Sequence, residues 1–168
     1  MANSTNMMAS SIYQSELIFN MNERLFLNAL DGITDSQAKE RISENNNPLT
    51  WIATHTVWAR YNMLMFLGKP VKNPYEGMFE GFRPYDKNDQ YPTLEALKAD
   101  WKKASTLLRD AIHSVSEEYL AAESPLKSPI GDFTNGGTIA FLAQHESYDI
   151  GQIGFLKKYY TKEAMKYN

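Results

Sequence analysis

The sequence predicts an all-α protein: one four-helix bundle with a long loop between its second and third long helices. Three observations carry this. Four long segments repeat apolar residues at spacings of three and four, the period of helices that bury one face. Strict apolar alternation between hairpin turns, the mark of a strand, does not persist anywhere. No internal repeat is evident, and 168 residues fit a single domain, spanning 1–168, that is large enough to bury a core.

The first long helix is expected from about Ser11 to Leu30, along Leu17, Met21, Leu25 and Asn28, with residues 1–10 ahead of it a flexible segment. A one- or two-turn helix through Ile42 follows. It opens at Thr34 and Gln37, the spacing of a capping box in which each side chain serves the other residue's backbone N–H. Asn45-Asn46-Asn47-Pro48 starts the second long helix, with Asn47 as N-cap and Pro48 at the first helical position, where the missing N–H is harmless. That helix runs through Leu49, Ile52, Ala59, Met63 and Phe66 to Leu67, and Gly68 stops it. Lys69 to Pro92 is rich in Gly, Pro, Asn and aromatics. Loops this long are uncommon in compact domains and often cover a site. The third long helix opens at Thr93 and runs to about Ser114 along Leu94, Leu97, Trp101, Leu108, Ile112 and Val115. Ser116 to Ala122 adds a turn before Pro125 and Pro129. The fourth long helix opens after Asn135-Gly136-Gly137 and runs to about Tyr160.

Composition removes several function classes. Charged residues make up 22% and the net charge is -3, so the basic footprint of a DNA- or RNA-binding protein is missing. With no cysteine in the chain, disulfides, thiolate metal sites and a cysteine nucleophile are excluded. Met1 to Gln14 has neither the basic nor the apolar region of a signal peptide. The apolar stretches, such as Tyr61 to Leu67, are too short to span a bilayer. A soluble, cytoplasmic protein with no nucleic-acid or membrane partner is expected.

Chemistry concentrates between Ala143 and Ile153. Residues four apart on a helix are neighbours, so His145 and Asp149 project side by side. Their row, Thr138, Leu142, His145, Asp149, Gln152 and Leu156, has the spacing of a core-facing seam. Three successive polar positions on such a seam cost several kcal/mol if buried without partners. A divalent metal satisfies them, because imidazole nitrogen and carboxylate oxygen both ligate a borderline ion. A buried His–Asp hydrogen bond is the alternative. His55, on the row Ile52, Ala59 and Met63, is a second histidine aimed inward from another helix. His55, His145 and Asp149 are therefore the candidate metal ligands.

Gln152 is the candidate to orient a ligand from one turn further along, or else a polar residue at the seam's end. His113 lies off its helix's stripe and near the helix end, where terminal carbonyls attract it. Glu146, one position off the ligand row, is read as solvated or ion-paired, with a general base as the alternative. Gly151 and Gly154 are expected to let helices approach closely, since glycine inside a helix otherwise costs ~1 kcal/mol. Trp51, Trp58, Tyr75, Phe79, Phe82 and Tyr85 are candidates to roof a small-molecule pocket, and Tyr148 to line it. Plain packing is the alternative for each.

The residues Asn47-Pro48-Leu49-Thr50-Trp51-Ile52-Ala53-Thr54-His55-Thr56-Val57-Trp58 and His145-Glu146-Ser147-Tyr148-Asp149-Ile150-Gly151-Gln152-Ile153 resemble the DinB/YfiT-like superfamily of bacterial four-helix metalloenzymes. Thr34 to Ala38 and Pro92-Thr93-Leu94 look familial too, so the likeness spans nearly the whole chain. It implies a site of three histidines, one from the second helix and two at i, i+4 in the fourth, followed by Gly-Gln. Residue by residue these fall on His55, His145 and Asp149, with aspartate standing where the family has its third histidine. Two histidines and a carboxylate remain a sound set for zinc, nickel, manganese or iron. The added negative charge reduces the metal's Lewis acidity, and the shorter side chain changes the geometry. The resemblance further implies zinc or nickel as cofactor, a low-molecular-weight thiol cosubstrate, and a thiol-dependent transferase or hydrolase-like reaction on a small molecule. It also implies a homodimer. The competing reading is a non-catalytic binding or stress-related protein of the same fold whose metal site is degenerate.

Overall fold

The four periodic segments become four long helices, and two short α-helices lie in the connections. A computed structural model describes residues 10–167. Residues 1–9, most of the segment expected to be flexible, lie outside the described residues. The helices are α1 (Tyr13–Leu30), α2 (Asp35–Lys39), α3 (Leu49–Phe66), α4 (Leu94–His113), α5 (Glu117–Ala121) and α6 (Asn135–Thr161). No strand occurs among the described residues, only an isolated bridge between Glu123 and Thr134. Helix α1 packs on α6 and α4, and α3 packs on the same two, so α1 and α3 occupy opposite corners of the bundle.

Local chemistry sets the helix ends. Thr34 and Gln37 form the expected capping box at α2, though that helix stops at Lys39, short of Ile42. Thr93 caps α4, its hydroxyl accepting from the Ala96 N–H. Helix α3 starts one residue later than expected. Pro48 itself is the N-cap, in extended conformation, and its carbonyl accepts from the Trp51 and Ile52 N–H groups. Gly68 adopts a left-handed φ of 76° just beyond Leu67, the stop the sequence indicates.

The start of α6 corrects the sequence reading. The helix begins at Asn135, so Gly136 and Gly137 form its first turn, and Thr134 caps it by accepting from the Gly137 N–H. Glycine is needed at 137 for space: a Cβ there would lie 2.6 Å from Asp132 Cβ, Cγ and carbonyl oxygen. A clash with backbone cannot be relieved by rotating a side chain. Gly137→Ala is therefore expected to destabilise the protein by about 1–3 kcal/mol, as overpacking does, and urea unfolding reads this directly.

The core holds Phe26, Leu30, Leu49, Leu64, Leu97, Trp101, Leu108, Ile112 and Ile139, with Phe26 and Trp101 stacked at 4.2 Å. Each such side chain, fully buried, contributes about 1.5–3 kcal/mol. In α4 the expected stripe of Leu94, Leu97, Trp101, Leu108 and Ile112 is buried, whereas the buried rows of α1, α3 and α6 differ from the expected ones. In α1, Leu17 is exposed, while Phe19, Asn22, Leu25, Phe26, Ala29 and Leu30 face inward. In α6 the deep row is Ile139, Ala143, Glu146, Ile150, Ile153 and Lys157, one residue along from the expected seam. In α3 it is Ala53, Thr56, Arg60 and Leu64, again one residue along. The expected rows of α3 and α6 thus run along the flank of the bundle, and the deep row of each contains a charged residue.

Those charges are satisfied internally. Arg60 of α3 donates to both carboxylate oxygens of Glu146 in α6, at 2.6 and 2.8 Å, and to Ser105 Oγ in α4 at 2.5 Å. It also donates to the Phe19 carbonyl of α1 at 3.3 Å and lies 3.6 Å from the centre of the Trp101 ring. One side chain ties all four long helices together. Lys157 is likewise buried and donates to the Asn28 and Asp31 carbonyls, closing the C-terminal end of α1.

The long loop is anchored to α3 and α4. Asn73 donates to the Trp58 carbonyl and to Asn62 Oδ1, and the Tyr75 hydroxyl donates to Asp100 at 2.6 Å. Burial, together with this hydrogen bond to Asp100, holds the Tyr75 hydroxyl well above the ordinary tyrosine pKa. These anchors carry Phe79 onto the outer face of α3.

Candidate metal centre

His55 and Asp149 come from adjacent helices, because α3 packs directly on α6. His55 Nδ1 lies 2.9 Å from Asp149 Oδ2, and His145 Nδ1 lies 4.0 Å from the same oxygen. One ligand atom from each of the three side chains falls within 4.8 Å of the others. Asp149 is buried, whereas the His55 and His145 side chains remain 18% and 30% exposed. The flank position that displaces these residues from the deep core is what leaves the site open to solvent.

The carboxylate's two oxygens have different surroundings. Oδ2 faces His55 and lies 3.5 Å from Thr56 Oγ1, whose shorter bond of 2.8 Å goes to the Ile52 carbonyl. Oδ1 faces the Gln152 amide at 3.5 Å, the long limit of a hydrogen bond. Gln152 thus lies beside Asp149, on the side away from the histidines' shared oxygen.

Aromatic rings fix His55. Trp51 stacks on it with ring centres 5.2 Å apart, Trp58 at 5.5 Å, and Phe79 meets it edge-on at 5.2 Å. Trp51 and Trp58 are four residues before and three after His55, hence on one helix face. Phe79 arrives from the loop. The rest of the expected roof does not form: Tyr75 turns to Asp100, Phe82 is fully exposed, and Tyr85 stacks on Tyr91. Phe141, which sequence reasoning passed over, tilts against His145 at 5.9 Å. Its spacing of four residues from His145 was the available signal.

Glu146 is ion-paired, the first of its two readings: Arg60 holds both of its oxygens in the core, so it is no base at this site. Other site expectations are corrected. His113 pairs with Glu16 at 3.0 Å instead of with helix-end carbonyls. Gly151 and Gly154 do not mediate a helix crossing. A Cβ on Gly151 would meet nothing within 4 Å, and one on Gly154 would make ordinary contact with Met165. Tyr148 is largely exposed and lines a cleft with Gly151 and Gln152.

The donor set suits a divalent ion chemically. Two imidazoles and a carboxylate converge from two helices, the ligand types that zinc takes at sites with an open position. The fold and the convergent set define a helical bundle with a His-His-Asp group capable of holding a metal between facing helices. The chain belongs to the DinB superfamily, whose family model matches residues 18–153. Its fold is similar to that of a crystal structure described as a conserved protein from Enterococcus faecalis. The TM-score is 0.68 at 14% identity, over 90% of this chain and 98% of that one. No curated protein matches the chain. Among the described residues, no helix is long and apolar enough to cross a membrane.

Proposed function

We propose that this is a metal-dependent enzyme in which His55, His145 and Asp149 hold a divalent ion, zinc or nickel. It catalyses a thiol-dependent transfer or hydrolase-like reaction on a small molecule. The observation that supports this is the convergence of three ligand atoms within 4.8 Å on two adjacent helices. Bound there, the ion supplies a Lewis acid that lowers the pKa of a thiol or water. The chain's own residues do the positioning. The Trp51, Trp58 and Phe79 rings hold the His55 imidazole in one plane, and Gln152 steadies Asp149. The partial exposure of both histidines gives a substrate access to the open side. The chain has no cysteine, so a reacting thiol belongs to a cosubstrate. We take the protein to be a cytoplasmic homodimer.

One observation favours a second reading. The His55–Asp149 hydrogen bond of 2.9 Å satisfies both groups without an ion, as a degenerate site in a non-catalytic binding protein requires. Metal analysis of freshly purified protein separates the two. The enzyme reading expects near-stoichiometric divalent metal, lost from His55→Ala and His145→Ala while helical content is unchanged. Wild-type protein that carries no metal and takes up neither zinc nor nickel leaves the second reading standing.

A further inference from the structure

Beside the triad, the solvent face of α6 carries two large aromatic side chains that no other described residue covers. Tyr148 and Phe155 are 62% and 63% exposed. They lie two turns apart on one face, and between them Gly151 leaves open space where a side chain would stand. Here the surface folds into a cleft of about 390 Å³, within the size range of small-molecule sites. Its floor is Ile52 and Leu156, both buried, and Asn46 and Asn47 from the α2–α3 connection face α6 across it.

The lining selects a chemical class. Among the described residues, no lysine, arginine, aspartate or glutamate lines the cleft. An ionic ligand there loses solvation against an apolar floor and finds no countercharge. Asn47 and Gln152 instead offer carboxamides, each able to donate and to accept. Asn46 offers its amide N–H groups, its Oδ1 accepting from Ser43 Oγ at 2.5 Å, and Tyr148 adds a hydroxyl. The exposed rings and floor suit an apolar body. The walls also lead to the triad. Ile52 precedes His55 by one turn of α3, and Gln152 follows Asp149 by one turn of α6, with its amide 3.5 Å from Oδ1.

We propose that this cleft binds an uncharged small molecule with an apolar body and an amide- or hydroxyl-type polar group, and that Gln152 links that group to Asp149. Calling this molecule the substrate rests on the metal-site reading; its binding does not require the ion.

The test is an NMR titration of the whole chain with three isosteric probes: neutral benzamide, anionic benzoate and cationic benzamidinium. Benzamide is expected to shift the Gly151 backbone amide and the side-chain amides of Asn46, Asn47 and Gln152, with the charged probes at least tenfold weaker. Gly151→Leu, which fills open space, is expected to weaken benzamide at least tenfold and leave zinc uptake unchanged. Charged probes binding as well as benzamide overturn the proposal. So does Gly151→Leu binding benzamide like wild type, or Gly151→Leu converting a sedimenting dimer to monomer, which assigns the cleft to a protein interface. Benzamide binding in a protein that takes up no zinc supports the cleft and removes only the metal reading.

Discussion

Asp149→Ala and Asp149→His are expected to separate by roughly a thousandfold in zinc affinity, one below wild type and one above it. Alanine removes one of three converging ligands. Loss of even an outer partner of a metal ligand costs about 10–100-fold, so losing the ligand itself is expected to cost on the order of a hundredfold or more. Histidine restores an imidazole, a ligand type well suited to zinc and nickel. It also removes the carboxylate that holds His55 Nδ1 at 2.9 Å, so ligation no longer competes with that hydrogen bond. A gain on the order of tenfold, about 1.4 kcal/mol, is expected. Chelator-competition titrations at one fixed pH give all three affinities; the pH must be fixed because protons compete for the same imidazoles. Equal zinc affinity in the three proteins removes Asp149 from the ligand set.

Arg60→Met is expected to be the most damaging single change to stability, at about 3–5 kcal/mol. It strands Glu146, only 5% exposed, without its counterion, and it removes a guanidinium lying 3.6 Å from the Trp101 ring centre. Against a total stability of about 5–15 kcal/mol for a domain, such a loss leaves a marginal fold. The pair itself is a different quantity from the penalty for breaking it. A double change, Arg60→Met with Glu146→Leu, leaves no buried charge and is expected to recover at least half of the loss. Urea unfolding of the wild type, both single variants and the double variant gives the coupling directly. A double variant as unstable as the sum of the singles shows that Arg60 acts through its contacts with Ser105, Phe19 and Trp101, and not through Glu146.

Much of the fold is legible because helix ends and helix faces are written locally. Thr34 with Gln37, Pro48, Gly68 and Thr93 mark boundaries to within a residue or so, since each mark acts through the backbone of its own turn. The need for glycine at 137, inside the first turn of α6, is not legible, because its cause, the nearness of Asp132, lies in the fold of the preceding loop. At the site, the approach of His55, His145 and Asp149 is foreshadowed by i, i+4 spacing and by inward-looking rows. Phe79 could not be singled out from Tyr75, Phe82 and Tyr85. Which aromatic of a long loop reaches His55 depends on anchors such as Asn73 to Asn62 and Tyr75 to Asp100.

The sequence by itself determined an all-α bundle, its helix order, and the two histidines and one aspartate worth bringing together. Spacing fixes which residues share a row, but two rows one residue apart have the same spacing. In α3, Ile52, His55, Ala59 and Met63 are matched step for step by Ala53, Thr56, Arg60 and Leu64. Hydropathy favours the first row, because an arginine is costly to bury alone. Only the tertiary structure decides for the second, because Glu146 from α6 supplies the missing charge across the core. That choice turns both helices by one residue. It moves His55 and His145 from the sealed interior to a half-open flank, where a ligand can reach them.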